Sequence, residues 1–222
     1  MKICFLVSGG GGNLKFLYLL KNKNLLKDVS LYAISYKDCK AINFCKNFDI
    51  PYKVIKYSKE NNQSLIKELK EISPDFIITT WNKIIDKETL ENFNGKFINL
   101  HYSLLPAFKG LIDTAPIKEA YSLNCKYIGV TCHYVNEEVD SGKIISQAIF
   151  KTNVPIQEAI NKSFRYGCLI LLNSILSVSN DLSILNPSWL LKSKEGDFHF
   201  EPSLLFDKKR LNSDFWRELS EL

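Results

Sequence analysis

Asn99, His101 and Asp140 are the residues of this 222-residue chain whose types and spacing could carry out chemistry. Asn99 and His101 stand two apart in Phe97-Ile98-Asn99-Leu100-His101-Tyr102-Ser103-Leu104-Leu105-Pro106. If Phe97 to Leu100 is a strand, both side chains leave the same face, because strand side chains alternate. An amide donor beside an imidazole suits a developing oxyanion, and a histidine can move a proton near neutral pH. Taken alone, Asn-x-His is more often the pattern of a hydrogen-bonded structural histidine. Asp140 follows the alternating run Tyr127 to Val135 and precedes Ser141-Gly142, which predicts a turn. An exposed acidic turn is the other reading of that stretch. A third feature is Ser8-Gly9-Gly10-Gly11-Gly12-Asn13-Leu14. Such a loop can aim backbone N–H groups at a phosphate from a helix N-terminus. It can also be a plain tight turn. The dinucleotide pattern G-x-G-x-x-G is not met, since Leu14 stands where its third glycine belongs.

These residues need a scaffold, and the apolar pattern supplies one. Ile3 to Val7, Leu31 to Ser35, Tyr52 to Ile55, Phe76 to Thr79 and Phe97 to Leu100 read as short strands. Between them lie helical stretches. One starts at Asn13 as a cap and runs through Leu20; others cover Cys39 to Phe48 and Asn62 to Ile72, and a short one follows Ile85. Further on come a helix from Pro116 to Tyr121, strands from Tyr127 to Val135 and Lys143 to Ala148, and a long helix from Pro155 to Leu176. Ile156, Ile160, Phe164 and Cys168 fall along one stripe of that helix. Alternating strands and helices predict an α/β domain with a doubly wound, mostly parallel sheet. Its strand C-terminal ends would line one edge, where ligands sit in open sheets. The residues after Ser177 read as a polar, irregular tail, with Phe198, Phe200, Phe206 and Trp216 as anchors.

Two longer runs contain the chemical residues. Asn99 to Gly110 spells NxHxSLLPxxxG, and Gly129 to Gly142 spells GVTxHxVxxxxDxG. Together they resemble the two signatures of the folate-dependent formyltransferases, a group that includes enzymes acting on phosphoribosylglycinamide, on methionyl-tRNA and on sugar amines. The resemblance runs from Met1 to about Leu176, and the Ser8–Leu14 loop is similar to the SGxGSNL loop of the phosphoribosylglycinamide enzymes. It implies a formyltransferase-type Rossmann-like domain over residues 1–176, with 177–222 as an extension packing on it. It implies 10-formyltetrahydrofolate as co-substrate and no metal. Asn99 and protonated His101 would bind the oxyanion, while Asp140 would hold His101 charged and help a water relay protons. Gly11, Gly12 and Asn13 would bind phosphate. Trp81, Lys83, Ile84 and Ile85, with Glu137, Glu138 and Val139, would line the folate pocket. The acceptor implied is a small phosphorylated amine, phosphoribosylglycinamide of purine biosynthesis first, and a nucleotide-linked amino sugar second. Three departures bear on that acceptor. Gly12 replaces the loop serine of the family, no carboxylate stands at Tyr166-Gly167-Cys168-Leu169, and the mid-chain arginine gives way to Asn62 or Gln63.

Composition sets the remaining bounds. The net charge of +5 comes from lysines scattered along the chain, without the dense basic block expected of a nucleic-acid binder. Six cysteines show no CxxC pair and no zinc-ligand spacing, which predicts reduced thiols and a cytoplasmic enzyme. The apolar start Met1 to Val7 is too short for a leader or membrane span. Partners are then a small amine and a folate; the sequence sets no oligomeric state. Two other classes share these features: a binding module that has lost catalysis, and an interaction protein using the tail's aromatics. Intact Asn99, His101 and Asp140 argue against the first, and steady-state turnover of the folate separates both from an enzyme.

Overall fold

In the computed structural model, which describes residues 1–191 and 199–222, the chain alternates strand and helix through its first half. The order is β1 (Lys2–Val7), α1 (Gly12–Asn22), β2 (Ser30–Ser35), α2 (Lys40–Asn47), β3 (Tyr52–Val54), α3 (Gln63–Ile72), β4 (Phe76–Thr80), α4 (Lys87–Asn92) and β5 (Phe97–His101). Then follow α5 (Ala115–Ser122), β6 (Tyr127–Tyr134), β7 (Ile144–Lys151), α6 (Ile156–Ser179), β8 (Phe200–Glu201) and α7 (Ser213–Glu221). The strands form one mostly parallel eight-stranded sheet in the order β3-β2-β1-β4-β5-β6-β7-β8. The α/β class and the mostly parallel sheet expected from the sequence are therefore present.

The chain divides into two compact units, one of residues 1–98, 182–189 and 209–222, the other of residues 99–181 and 190–208. In the first, β1 pairs in parallel with both β2 and β4. Strand order reverses between β1 and β4, which makes their C-terminal ends a switch-point crevice. Ile3 to Val7 are all buried, which explains the uninterrupted apolar run. Leu65, Ile66 and Leu69 form the buried face of α3, and Ser73, in the left-handed region at φ 49°, ends it before Pro74. Asn13 does not cap α1 as expected. Gly11 holds the cap position and Asn13 lies inside the first turn, buried.

In the second unit, β6 and β7 form an antiparallel hairpin, and β8 pairs antiparallel with β7. Ile117, Ala120, Ile128, Phe150 and Ala159 form a core between α5, the hairpin and α6. The inward stripe of the first turns of α6 runs one position off the expected one, through Ala159, Ser163 and Gly167, while Ile156 is exposed. Small residues there let the helix lie close to the sheet. The tail is not irregular. It contains β8 and the amphipathic α7, with Asn212 capping α7 by accepting from the Phe215 N–H at 3.1 Å. Phe200 and Phe206 are buried anchors, Trp216 is a partly buried one, and Phe198 lies outside the described residues.

Candidate active site

β5 delivers Asn99 and His101 at its C-terminal end, and β6 delivers His133 beside them. The β6–β7 register shifts between Cys132 and His133. The extra residue at this irregularity is Ile145 of β7, between Ile144 and Ser146. The chain then turns through 135–139 to Asp140, whose backbone is left-handed at φ 52°, a conformation that aspartate tolerates better than most residues. Asp140 is 9% exposed, so the stretch is not merely an exposed acidic turn. One carboxylate oxygen, Oδ2, lies 3.2 Å from His101 Nδ1 and accepts the Gly110 N–H at 2.8 Å; the other, Oδ1, lies 3.6 Å from His133 Nε2. Asn99 Nδ2 reaches His133 Nε2 at 3.4 Å. His101 and Asp140 thus meet directly, and Asn99 joins them through His133.

The electrostatics follow from this packing. His101 Nε2 faces the Phe108 carbonyl at 3.1 Å, so both its ring nitrogens face acceptors, which favours the doubly protonated ring. Burial nonetheless draws its pKa below the ordinary imidazole value, against the upward pull of Asp140 and the Phe108 carbonyl. Asp140 is held below the ordinary carboxylate value: burial opposes its charge, but His133, the Gly110 N–H and His101 outweigh burial. His133 was not singled out by the sequence reading. Its signal was its position in the same run that leads to Asp140.

The glycine loop and the Trp81 segment leave adjacent strands of the first unit, since Val7 of β1 pairs with Thr80 of β4. Gly11 is left-handed at φ 70°, and a Cβ added there would stand 2.7 Å from the Ala41 Cβ. Only glycine meets both demands at once. Gly9 and Gly10 are exposed, and the Gly9 carbonyl is fixed by the Ala41 N–H at 2.9 Å. One turn into α1, Lys15 has its pKa lowered by burial and by the charge of Lys40, and its Nζ lies over the Phe44 ring at 5.4 Å. Trp81 is buried and stacks on Tyr57 with centroids 5.0 Å apart. Its indole N–H is buried and has no hydrogen-bond partner among the described residues. Ile85 is buried as well, while Lys83 and Ile84 are exposed.

Asn62, near the place of the family's mid-chain arginine, is buried and structural. It donates to Asp86 Oδ1 at 2.6 Å and to Glu88 Oε2 at 2.9 Å, while Gln63 donates to Glu88 Oε1 at 3.2 Å. Glu137, Glu138 and Val139 are exposed in the second unit. Tyr166 packs against Phe150 and Phe200, so the tail strand lies over that part of α6. All six cysteines are free thiols, and burial pushes Cys45 and Cys132 up to about 12. Among the described residues no His, Cys, Asp or Glu cluster could hold a metal ion, and no helix is long and apolar enough to cross a membrane.

This geometry sits within a chain whose residues 1–162 match the family model described as formyl transferase. A formyltetrahydrofolate deformylase of Haemophilus influenzae is 29% identical over 140 residues, covering 61% of this chain and 49% of that protein. The chain therefore spans about half the length of that relative. The phosphoribosylglycinamide formyltransferase of Bacillus subtilis is 33% identical over 153 residues, covering 66% of this chain and 77% of that enzyme. Among solved structures, the phosphoribosylglycinamide formyltransferase of Anaplasma phagocytophilum superposes with a TM-score of 0.72 at 25% identity, covering 82% of this chain and 88% of that one. A match over residues 1–162, most of its length and including Asn99, His101 and Asp140, makes this chain a member of the formyl transferase family.

Proposed function

We propose that the chain transfers a formyl group from 10-formyltetrahydrofolate to the primary amine of a small phosphorylated acceptor, phosphoribosylglycinamide first. The observation that carries the reading is the buried His101–Asp140 pair beside Asn99, inside the two family signatures. The amine nitrogen attacks the formyl carbon and forms the new N–C bond. The carbonyl electron pair moves onto oxygen. Asn99 and the His101 imidazolium donate to that oxyanion, His101 exchanging the Phe108 carbonyl for it while Nδ1–H stays on Asp140. As the oxyanion collapses, the bond from the formyl carbon to the folate nitrogen breaks. A water held by Asp140 carries the amine's proton to that nitrogen.

Gly11, Gly12 and Asn13 hold the acceptor's phosphate in this reading, with Lys15 and Lys40 adding positive charge. Trp81, Lys83, Ile84 and Ile85, together with Glu137, Glu138 and Val139, contact the folate. Residues 1–176 are the catalytic part and 177–222 the extension. The six free thiols support a reducing compartment, the cytoplasm. A second reading has its own support: the Haemophilus influenzae relative is a deformylase, and on that pattern water replaces the amine. The test follows tetrahydrofolate release by purified protein given 10-formyltetrahydrofolate in three arms. These contain no acceptor, phosphoribosylglycinamide, or a nucleotide-linked amino sugar. Release dependent on phosphoribosylglycinamide is expected. Release only with the amino sugar replaces the acceptor, equal release in all arms establishes hydrolysis, and none in any arm removes the enzyme reading.

A further inference from the structure

The segment from Trp81 to Asp86 is anchored at its ends and open in its middle. Trp81, Ile85 and Asp86 are buried, whereas Asn82, Lys83 and Ile84 are exposed, Ile84 to 46%. Exposed residues in such a connection are ordinarily its most mobile part. Here two tyrosines tie the arch down. Tyr36 donates its hydroxyl hydrogen to Asn82 Oδ1, and the Lys83 ammonium lies over the Tyr36 ring at 5.0 Å. Trp81 meets both rings, stacked on Tyr57 at 5.0 Å and tilted against Tyr36 at 5.8 Å.

Tyr57 is the more buried of the two, at 7% exposure, and burial above all pushes its pKa up, so its hydroxyl keeps its hydrogen. The hydroxyl oxygen accepts the Asp86 N–H at 3.0 Å. It also stands 3.0 Å from the Ile84 carbonyl oxygen and 3.0 Å from Asp86 Oδ2. Its one hydrogen serves one of these acceptors at a time, and the bond from the Asp86 N–H is common to both arrangements. Asp86 is itself fixed. Oδ1 accepts from Asn62 Nδ2 at 2.6 Å and from the Thr89 N–H at 2.9 Å, and Oδ2 accepts from Thr89 Oγ1 at 2.6 Å. Tyr57 and Asn62 belong to the same connection between β3 and α3, so one loop buttresses this end of the arch. A hydroxyl that holds backbone groups on both sides of Ile85 sets the path of the arch from its buried side.

We infer that Tyr57 is a positioning residue of the folate pocket: by holding the Ile84 carbonyl and the Asp86 N–H, its hydroxyl preshapes the arch of residues 82–84 on which the folate binds. The inference rests on the proposed folate role of this segment. A preshaped arch loses less conformational freedom when the ligand arrives, so the effect belongs to folate affinity and not to the bond-making step.

The test uses tetrahydrofolate as the probe, with binding measured by calorimetry. Tyr57→Phe keeps the ring on Trp81 and deletes the hydroxyl, and its Kd should rise at least about fivefold. With 10-formyltetrahydrofolate and whichever acceptor is turned over, the KM for folate should rise likewise, while kcat and the KM for acceptor move less than about twofold. Thr89→Val is the matched comparison. It deletes another buried hydroxyl from the same carboxylate, one that holds neither the Ile84 carbonyl nor the Asp86 N–H. Its Kd should shift less than about twofold. A Tyr57→Phe Kd within about twofold of wild type overturns the inference, as do equal losses in both variants, which would mean a general softening of the segment. If wild type binds no tetrahydrofolate, the folate reading of the segment fails, and the inference with it. If Tyr57→Phe does not fold, amide exchange in the wild type decides by NMR. The Asp86 amide should be protected in the free protein and should exchange more slowly still with saturating tetrahydrofolate. An Asp86 amide that exchanges as in an open loop, or that tetrahydrofolate leaves unchanged, rejects the positioning role.

Discussion

At His101 two influences compete, and the sign of their sum has a consequence. Burial penalises the charged ring, while Asp140 at 3.2 Å and the Phe108 carbonyl favour it; the net direction is below the ordinary imidazole value of about 6.5. In the uncomplexed protein an NMR titration of His101 should therefore show a midpoint below that of a free imidazole. Asp140→Asn removes the anion that favours the imidazolium, so the midpoint should move further down; a midpoint that rises would contradict the pairing. If the imidazolium is the acting form, kcat/KM should fall as pH rises through that midpoint. Turnover by Asp140→Asn should drop by about a hundredfold or more, by the measure of lost transition-state donors. Asparagine also tolerates the left-handed backbone that position 140 adopts, so the variant should fold as the wild type does. An unaltered rate in Asp140→Asn would mean that the carboxylate takes no part.

The elements differ in how plainly their residues announce them, and the glycine loop makes the point testable. Among the described residues no heavy atom lies within 4 Å of a Cβ added at Gly10, whereas Gly11 combines φ 70° with an Ala41 Cβ at 2.7 Å. Gly10→Ala should thus change unfolding free energy by no more than about 0.5 kcal/mol, and Gly11→Ala should cost more than about 1 kcal/mol, read by urea denaturation. Equal costs would mean that the loop is not built as described. From sequence, the loop was readable as a loop, but its cap was assigned to Asn13, because nothing in a run of glycines marks which one turns left-handed. Buried strands such as β1 and β4 are visible as apolar runs because both faces are covered. The two-residue β8 is not, since only its pairing with β7 defines it. α7 spans nine residues, too short to be helical without the surface it packs on. Asn99, His101 and Asp140 were recoverable because two motifs frame them. His133 was not, because its place beside Asp140 and Asn99 is a property of backbone path rather than of residue pattern.

The tail matters to the molecule as a whole because it returns to both units: 182–189 and 209–222 to the first, 190–208 to the second. In the first unit α7 covers α1, the helix that begins at the glycine loop. Phe16 of α1 is fully buried, with Trp216 stacked on it at 5.9 Å and 5° and Phe215 meeting it edge-on at 5.9 Å and 83°. Phe215 is 3% exposed, so Phe215→Ala leaves a cavity against α1 and should cost about 3–5 kcal/mol. The Lys23–Glu218 pair joins the same two helices at 2.6 Å, but both side chains are substantially exposed. Glu218→Ala should therefore cost less than about 1 kcal/mol. The contrast separates apolar packing from charge as the bond between tail and helix. Hydrogen exchange gives it a location. In Phe215→Ala the amides of α1 and α7 should lose protection first, through a local opening, while those of the β6–β7 hairpin keep theirs. Were Glu218→Ala the more damaging change, or were protection lost evenly across the chain, the tail would not be acting as an apolar cover for α1.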